Sequence, residues 1–299
     1  MRIGLSAIKT SRVEVVFIAI VSAVISLTYL GIIGVVTATD LPACATAPAI
    51  SCSLFDPAMS IGDWLPFLST TMAMLSGLLL GAPLVAREIE SGTAVLAWSM
   101  GRSRTRWLLI RTASVALVVL VVAIVPSLLG DVWEHVRHVP PLSGDSLLTR
   151  DFRGATVVFR SLLLFGIGLL CGSLSGRQLP AVIIAVIVGV LAIGGLSMAF
   201  DAVDRAEAVP ANEIGDMQLD VAFRQNSDAT GALLSQDEAA ARYGKPIDAM
   251  FNEQFTQVGL GIPASRAGDL LLRESAASSA IALLCLSMSV AVVGRRRPY

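Results

Sequence analysis

Residues 179–200 read LPAVIIAVIVGVLAIGGLSMAF, twenty-two positions without a charged side chain. At about 1.5 Å of rise per residue such a helix is roughly 33 Å long, enough to cross a hydrocarbon core about 30 Å thick. The stretch shows neither the period-two alternation of a half-buried strand nor the polar stripe of a surface helix. Backbone exposed to hydrocarbon must satisfy its own hydrogen bonds, and a single segment does so only as a helix. Five further windows of this kind lie at about Val13–Thr37, Trp64–Ala86, Trp107–Gly130, Ala155–Ser175 and Ser275–Gly294. The 299-residue chain is 55% hydrophobic and 15% charged, with a mean hydropathy of +0.74, beyond the range of an ordinary soluble domain. The expected fold class is therefore all-α integral membrane, one domain of six transmembrane helices over residues 1–299. A transmembrane barrel would need short alternating strands, which are not visible.

The first window runs longer than the apolar region of a secretory signal. Leu41-Pro42-Ala43-Cys44 faintly resembles a lipoprotein cleavage box, but Asp40 stands before it, so the first span is expected to be retained. With the amino terminus placed inside, the short connections on that side carry eleven Lys/Arg against three Glu. The opposite loops carry nine against twenty acidic residues, an asymmetry hidden by a net charge of −1. The positive-inside rule then places both termini in the cytoplasm and the protein as a multi-pass chain of the inner, cytoplasmic membrane.

On the outer side, residues 201–273 form the one loop long enough to fold as a subdomain. Ser235 and Glu238 read as a capping box. Beyond Pro246, Ile247, Met250, Phe251, Phe255 and Val258 recur at helical spacing, with Gly259 placed to end a helix. That face either covers the outer mouth of the bundle or meets a substrate or partner. Cys44 and Cys52 both fall in the first outer loop, so a disulfide there and two free thiols are both open. Cys171 and Cys285 lie within spans.

Little in the chain suggests chemistry of its own. No G-x-x-x-x-G-K-[ST] sequence exists, and the only lysines are Lys9 and Lys245, so nucleotide energy must come from elsewhere. Asp131, His135 and His138 recur on one helical face, yet Pro140 and Pro141 limit that helix and no metal site is assigned. No Ser-His-Asp or Cys-His grouping can be built from two histidines, and neither enzyme activity, bound cofactor nor nucleic-acid partner is expected. Arg160 lies inside span four, where a charge snorkels, pairs with an acid, or lines a pathway. Ser69, Thr70, Thr71, Met72 and Met74 on span two serve either helix packing or a pathway.

The segment joining spans two and three is the most informative. Residues 86–106, AREIESGTAVLAWSMGRSRTR, place Glu88 and Glu90 where carboxylates would oppose the positive end of a short helix, with arginines following at its exit. R-E-x-E-x-G-T, then L-A-W-S, then an R-x-R-x-R-W lead into span three closely resemble the corresponding connection of the type-two ATP-binding-cassette (ABC) export permeases. The run from Gly172 through Gly176, Arg177 and Pro180 to Ala181 looks like that family's tight fourth-to-fifth connection. Gly261, Pro263, Ser265 and Arg266, then Leu272 to Glu274 and the terminal Arg295, Arg296 and Arg297, resemble the approach to its last helix, without the family's usual aromatics.

The resemblance implies the membrane subunit of an ATP-driven exporter that forms the translocation pathway. Its partners would be a separate ABC ATPase subunit holding ATP and magnesium, a second permease subunit in a homo- or heterodimer, and the lipid bilayer. It implies that Arg87, Glu88, Glu90, Gly92, Thr93, Arg102, Arg104 and Arg106 belong to a coupling helix that fits a groove on the ATPase. Arg160, Thr70 and Met74 are the candidates for the pathway. The cargo would be a hydrophobic or amphipathic compound such as an antibiotic, peptide or lipid, the chemistry of multidrug efflux. Two other classes stay open: a membrane-integral enzyme, and a non-transporting assembly or signalling subunit that uses the outer loop.

Overall fold

The computed structural model describes residues 12–39, 50–93, 103–137, 154–210, 217–225, 255–262 and 266–295. Among the described residues are six long helices: α1 (Arg12–Ala38), α2 (Ile50–Glu90), α3 (Arg104–Arg137), α4 (Gly154–Ser175), α5 (Gln178–Ala206) and α6 (Ala267–Arg295). Each contains a stretch long and apolar enough to cross a membrane, so the chain is a multi-pass membrane protein. The helices outrun the windows read from hydropathy alone. The largest difference is α2, which begins at Ile50 rather than Trp64 and carries Pro57, Pro66 and Pro83 inside it. Proline is tolerated in a spanning helix because neighbouring helices and hydroxyl side chains re-satisfy the backbone.

Contacts divide the chain into two units. The first comprises residues 1–138, 151–195 and 273–299 and holds most of the helical bundle. Within it α2 and α4 are the most closely packed pair. Their seam is built from two glycine pairs at spacing four. A Cβ added at Gly77 would strike the Ser161 carbonyl oxygen, and one at Gly172 the Ala82 carbonyl oxygen. At Gly81 it would lie 2.5 Å from the Phe165 oxygen, and at Gly168 2.9 Å from the Ala82 nitrogen. Lipid tails are as apolar as leucine, so helices in a bilayer associate by close backbone approach, which glycine permits. The buried share of the spanning window is accordingly 72% for α4 and 61% for α2, against 17% for α1 and α5 and 22% for α6. Lipid or a partner must meet the outer helices.

Two apolar clusters larger than the Ala73–Ala123–Val157 contact lie among the described residues of this unit. One joins Ile18, Leu84, Trp107, Val119, Phe165 and Val293 from five helices. The other gathers Ile25, Tyr29, Ile32, Ala58 and Leu65 around Trp133, whose ring fits because residue 62 is glycine.

The second unit comprises residues 139–150 and 196–272. It contains an antiparallel sheet of β1 (Val209–Pro210), β2 (Met217–Gln225) and β3 (Phe255–Ile262), in the order β1-β3-β2. Val209 pairs with Gly261, and Val221 with Gly259, with a register shift between Gln218 and Asp220. This corrects the expected helix ending at Gly259: Phe255 and Val258 lie on a strand that runs through Gly259. The sequence from Thr256 places Val258, Leu260 and Ile262 at every second position, and the glycines at 259 and 261 disfavour a helix. Ser235, Glu238, Ile247, Met250 and Phe251 lie outside the described residues. The all-α description thus holds for the spans, while the loop after α5 contains the sheet.

Candidate functional site

The end of α2 gathers the charges of the bundle. Its last turn is Arg87-Glu88-Ile89-Glu90, and the chain then bends at Gly92, whose φ of +73° is costly for any residue with a Cβ. The Ser91 N–H donates to the Arg87 carbonyl (3.0 Å) and the Gly92 N–H to the Ile89 carbonyl (3.1 Å), which closes the helix. Glu88 and Glu90 therefore sit at the carboxyl end of a long helix and not in the first turn of a short one. A helix carboxyl end disfavours carboxylates. Their positions are stabilised by partners from other helices.

Glu88 is buried, 8% exposed, and its Oε1 meets Nη2 of the buried Arg111 on α3 at 2.8 Å. Its Oε2 accepts a hydrogen bond from the Thr93 hydroxyl at 2.6 Å. The Arg111 guanidinium also lies over the Trp107 ring, 5.2 Å from its centre, a cation–π arrangement in a desolvated place. Glu90 reaches across to α5, where its Oε2 accepts from the backbone N–H of Gln178 at 2.8 Å. That N–H is the first of α5, so the carboxylate caps a helix start and faces its positive dipole end. Arg87 pairs with Glu14 of α1 at 3.4 Å, but both side chains are partly solvent-exposed and the pair adds little stability. The end of α2 is thus tied to α1, α3 and α5. The link to α5 depends on the short join after α4, where Gly176 takes φ +64° and α5 starts two residues later.

Of the residues expected at a coupling surface, Arg87, Glu90, Gly92, Thr93 and Arg106 are exposed and Arg104 is half-buried. Glu88 is the correction. A coupling helix seated in a groove on an ATPase would present it to that partner, whereas its carboxylate is taken up inside the bundle by Arg111. Arg102 and residues 94–101 lie outside the described residues. Arg111 itself was not singled out from sequence, although a second arginine within a span demands an acid at matching depth.

Arg160 neither snorkels outward nor faces solvent. Its Nε and Nη2 both lie 2.7 Å from Oε1 of Glu274 on α6, with side-chain exposures of 4% and 1%. A cavity of about 130 Å³ with an apolar surface lies among α1, α2 and α3, lined by Ile18, Ile25, Ser69, Met72, Ser76 and Val122 among others. Ser69 and Met72 belong to the polar and sulfur-bearing group read on span two, but Thr70 and Met74 are outside this lining. Thr70 is buried and Met74 half-buried.

Cys52 lies in the first turn of α2 and Cys44 outside the described residues, so their pairing stays open. Cys171 and Cys285 are buried free thiols. Asp131 and His135 are exposed near the end of α3, and His138 lies outside the described residues.

No curated protein and no solved structure matches the chain. A family model does, and its match runs from α1 through α5, taking in the charged end of α2 and the tight join before α5 but neither the sheet nor α6. By that match over residues 15–200, the chain belongs to the ABC-2 membrane transporter related family.

Proposed function

We propose that the protein is the membrane subunit of an ATP-driven exporter, forming the translocation pathway and working with a separate ABC ATPase and a second permease subunit. The observation that carries this reading is the end of α2, where a single turn holds α1, α3 and α5 through Glu14, Arg111 and the Gln178 N–H. A force applied to the segment following that turn acts on α2, α3 and α5 together, as coupling to an ATPase requires. Family membership supports the same reading, and so does the basic charge of the connections on that side, which suits a cytoplasmic face of the inner membrane. Within this reading the segment from Arg87 to Arg106 docks on the ATPase through its exposed members. Glu88 acts from behind, keeping the turn rigid enough to transmit the push.

Arg104 and Arg106 test this without disturbing the interior, because one is half-buried and the other exposed at the start of α3. The double reversal Arg104→Glu/Arg106→Glu is expected to leave the amount of protein in the membrane near the wild-type level, since surface changes cost only about 0.5 kcal/mol. Association with the ATPase, measured by quantitative mass spectrometry after mild detergent extraction, is expected to fall by roughly tenfold. Unchanged association would remove the basic cluster from the docking surface and leave it as a topology signal.

A further inference from the structure

We propose that Arg160 and Glu274 form a releasable clasp that holds α6 shut against α4, and that α6 separates from α4 as a unit when the clasp opens. The proposal does not depend on the identity of any ATPase or cargo.

Four observations carry it. The two residues belong to helices far apart in sequence, and two guanidinium nitrogens converge on one carboxylate oxygen at 2.7 Å with both side chains buried. A buried ion pair of this kind contributes little net stability over a well-packed apolar pair, and its attested uses are in register and switching. Beside the pair the seam carries little apolar glue. Between Glu274 and Ser289 the buried positions of α6 are Glu274, Ser275, Ser278, Cys285 and Ser289, with no large apolar side chain among them; the apolar anchors Leu270 and Val293 lie beyond either end, and Leu272, Leu283 and Leu284 point outward. Only 22% of the α6 spanning window is buried, so the helix meets its neighbours along a narrow strip.

Two hydroxyls in the same helices strengthen the inference. Thr156 stands one turn before Arg160, and Ser278 one turn after Glu274. Both are buried, and neither hydroxyl finds a hydrogen-bond partner. Unsatisfied buried polar groups destabilise the closed arrangement, and opening the seam would let them be solvated. Two orphan hydroxyls flanking one strong contact are the pattern of a two-state element. Further along the seam α6 passes close to α4: an added Cβ at Gly166 would lie 3.1 Å from the Ala282 oxygen and 3.4 Å from the Cys285 Cβ. The buried thiol of Cys285 is therefore a built-in reporter of whether the seam is closed.

The experiment measures the rate at which N-ethylmaleimide modifies Cys285 in the full-length protein in lipid nanodiscs, counted by peptide mass spectrometry. A control thiol is introduced by Ala123→Cys on α3, buried in a cluster with Ala73 and Val157 that includes no residue of α6. Glu274→Gln is expected to raise the Cys285 rate by at least about tenfold and leave the control thiol within about twofold, the signature of local opening. The charge swap Arg160→Glu/Glu274→Arg is expected to bring Cys285 back to within about threefold of wild type by restoring the attraction. Should Glu274→Gln fail to accumulate, the double variant Arg160→Met/Glu274→Met removes the clasp without leaving a lone charge, and the same tenfold increase is expected. An unchanged Cys285 rate in these variants overturns the proposal. So does parallel labelling of the control thiol, which would mean that the pair supports the whole bundle, and so does a swap that restores nothing.

Discussion

Replacing Glu88 by leucine is expected to lower the stability of the bundle by about 3–5 kcal/mol, the usual cost of removing one partner from a buried ion pair. The carboxylate does three things. It neutralises Arg111 at 2.8 Å, accepts the Thr93 hydroxyl at 2.6 Å, and so fixes the bend at Gly92. Without it the Arg111 guanidinium stays buried beside Trp107 with one charge uncompensated. The ring face recovers only part of the loss, about 1–2 kcal/mol where a cation–π contact is desolvated. The check is the midpoint of thermal unfolding in detergent together with the amount of protein extracted from membranes. The double variant Glu88→Leu/Arg111→Leu discriminates further, because removing both charges is expected to recover most of the stability lost by the single change. A single variant with the wild-type midpoint would show that the pair contributes nothing to folding, and Glu88 would return to the exposed role its sequence context suggested.

The second large effect belongs to the glycine seam of α2 and α4. In an ordinary helix Gly→Ala stabilises by up to about 1 kcal/mol, because alanine loses less backbone freedom on folding. At Gly172 the sign is expected to reverse. A Cβ there meets the Ala82 carbonyl oxygen, and backbone cannot rotate away as a side chain can. Gly172→Val, with two further methyls, is expected to cost about 1–3 kcal/mol or more by overpacking. Gly34 supplies the control, because an added Cβ there has nothing within 4 Å. Gly34→Ala is expected to be neutral or stabilising in the same thermal assay. Equal tolerance at both positions would mean that α2 and α4 do not approach as closely as described.

The six spans were legible because each window is about twenty residues of hydrocarbon, a signal that no neighbour is needed to interpret. Their ends were not. Cys52, Asp56, Pro57 and Asp63 make the start of α2 read as a polar loop, yet the helix begins at Ile50. The same limit hid the arrangement at the other end. Glu88 and Glu90 read as the opening turn of a new helix because carboxylates favour helix starts. They close the old one instead, stabilised by Arg111 and Gln178, which are remote in the chain. Glu274, the partner of Arg160, is 114 residues away. Such pairs need depth matching between spans, which hydropathy alone does not supply.

The glycine seam was visible as the spacings Gly77 to Gly81 and Gly168 to Gly172, a small-residue pattern readable without a structure. In the loop after α5, Phe255 and Val258 fit a helical count of three only if Gly259 and Gly261 are ignored. The period-two alternation that follows is the better guide, and the strand pairs accordingly.

Co-purification bears most directly on the proposed function. The full-length chain, extracted from its own cells in mild detergent and isolated by a carboxyl-terminal tag, is expected to bring down a P-loop ATPase in near-stoichiometric amount, and ATP hydrolysis is expected to accompany the assembly. Quantitative mass spectrometry of the eluate reads the first and phosphate release the second. A folded membrane assembly that elutes without any nucleotide-binding subunit, and without hydrolysis, would contradict the exporter reading and favour a subunit that keeps the fold but does not transport.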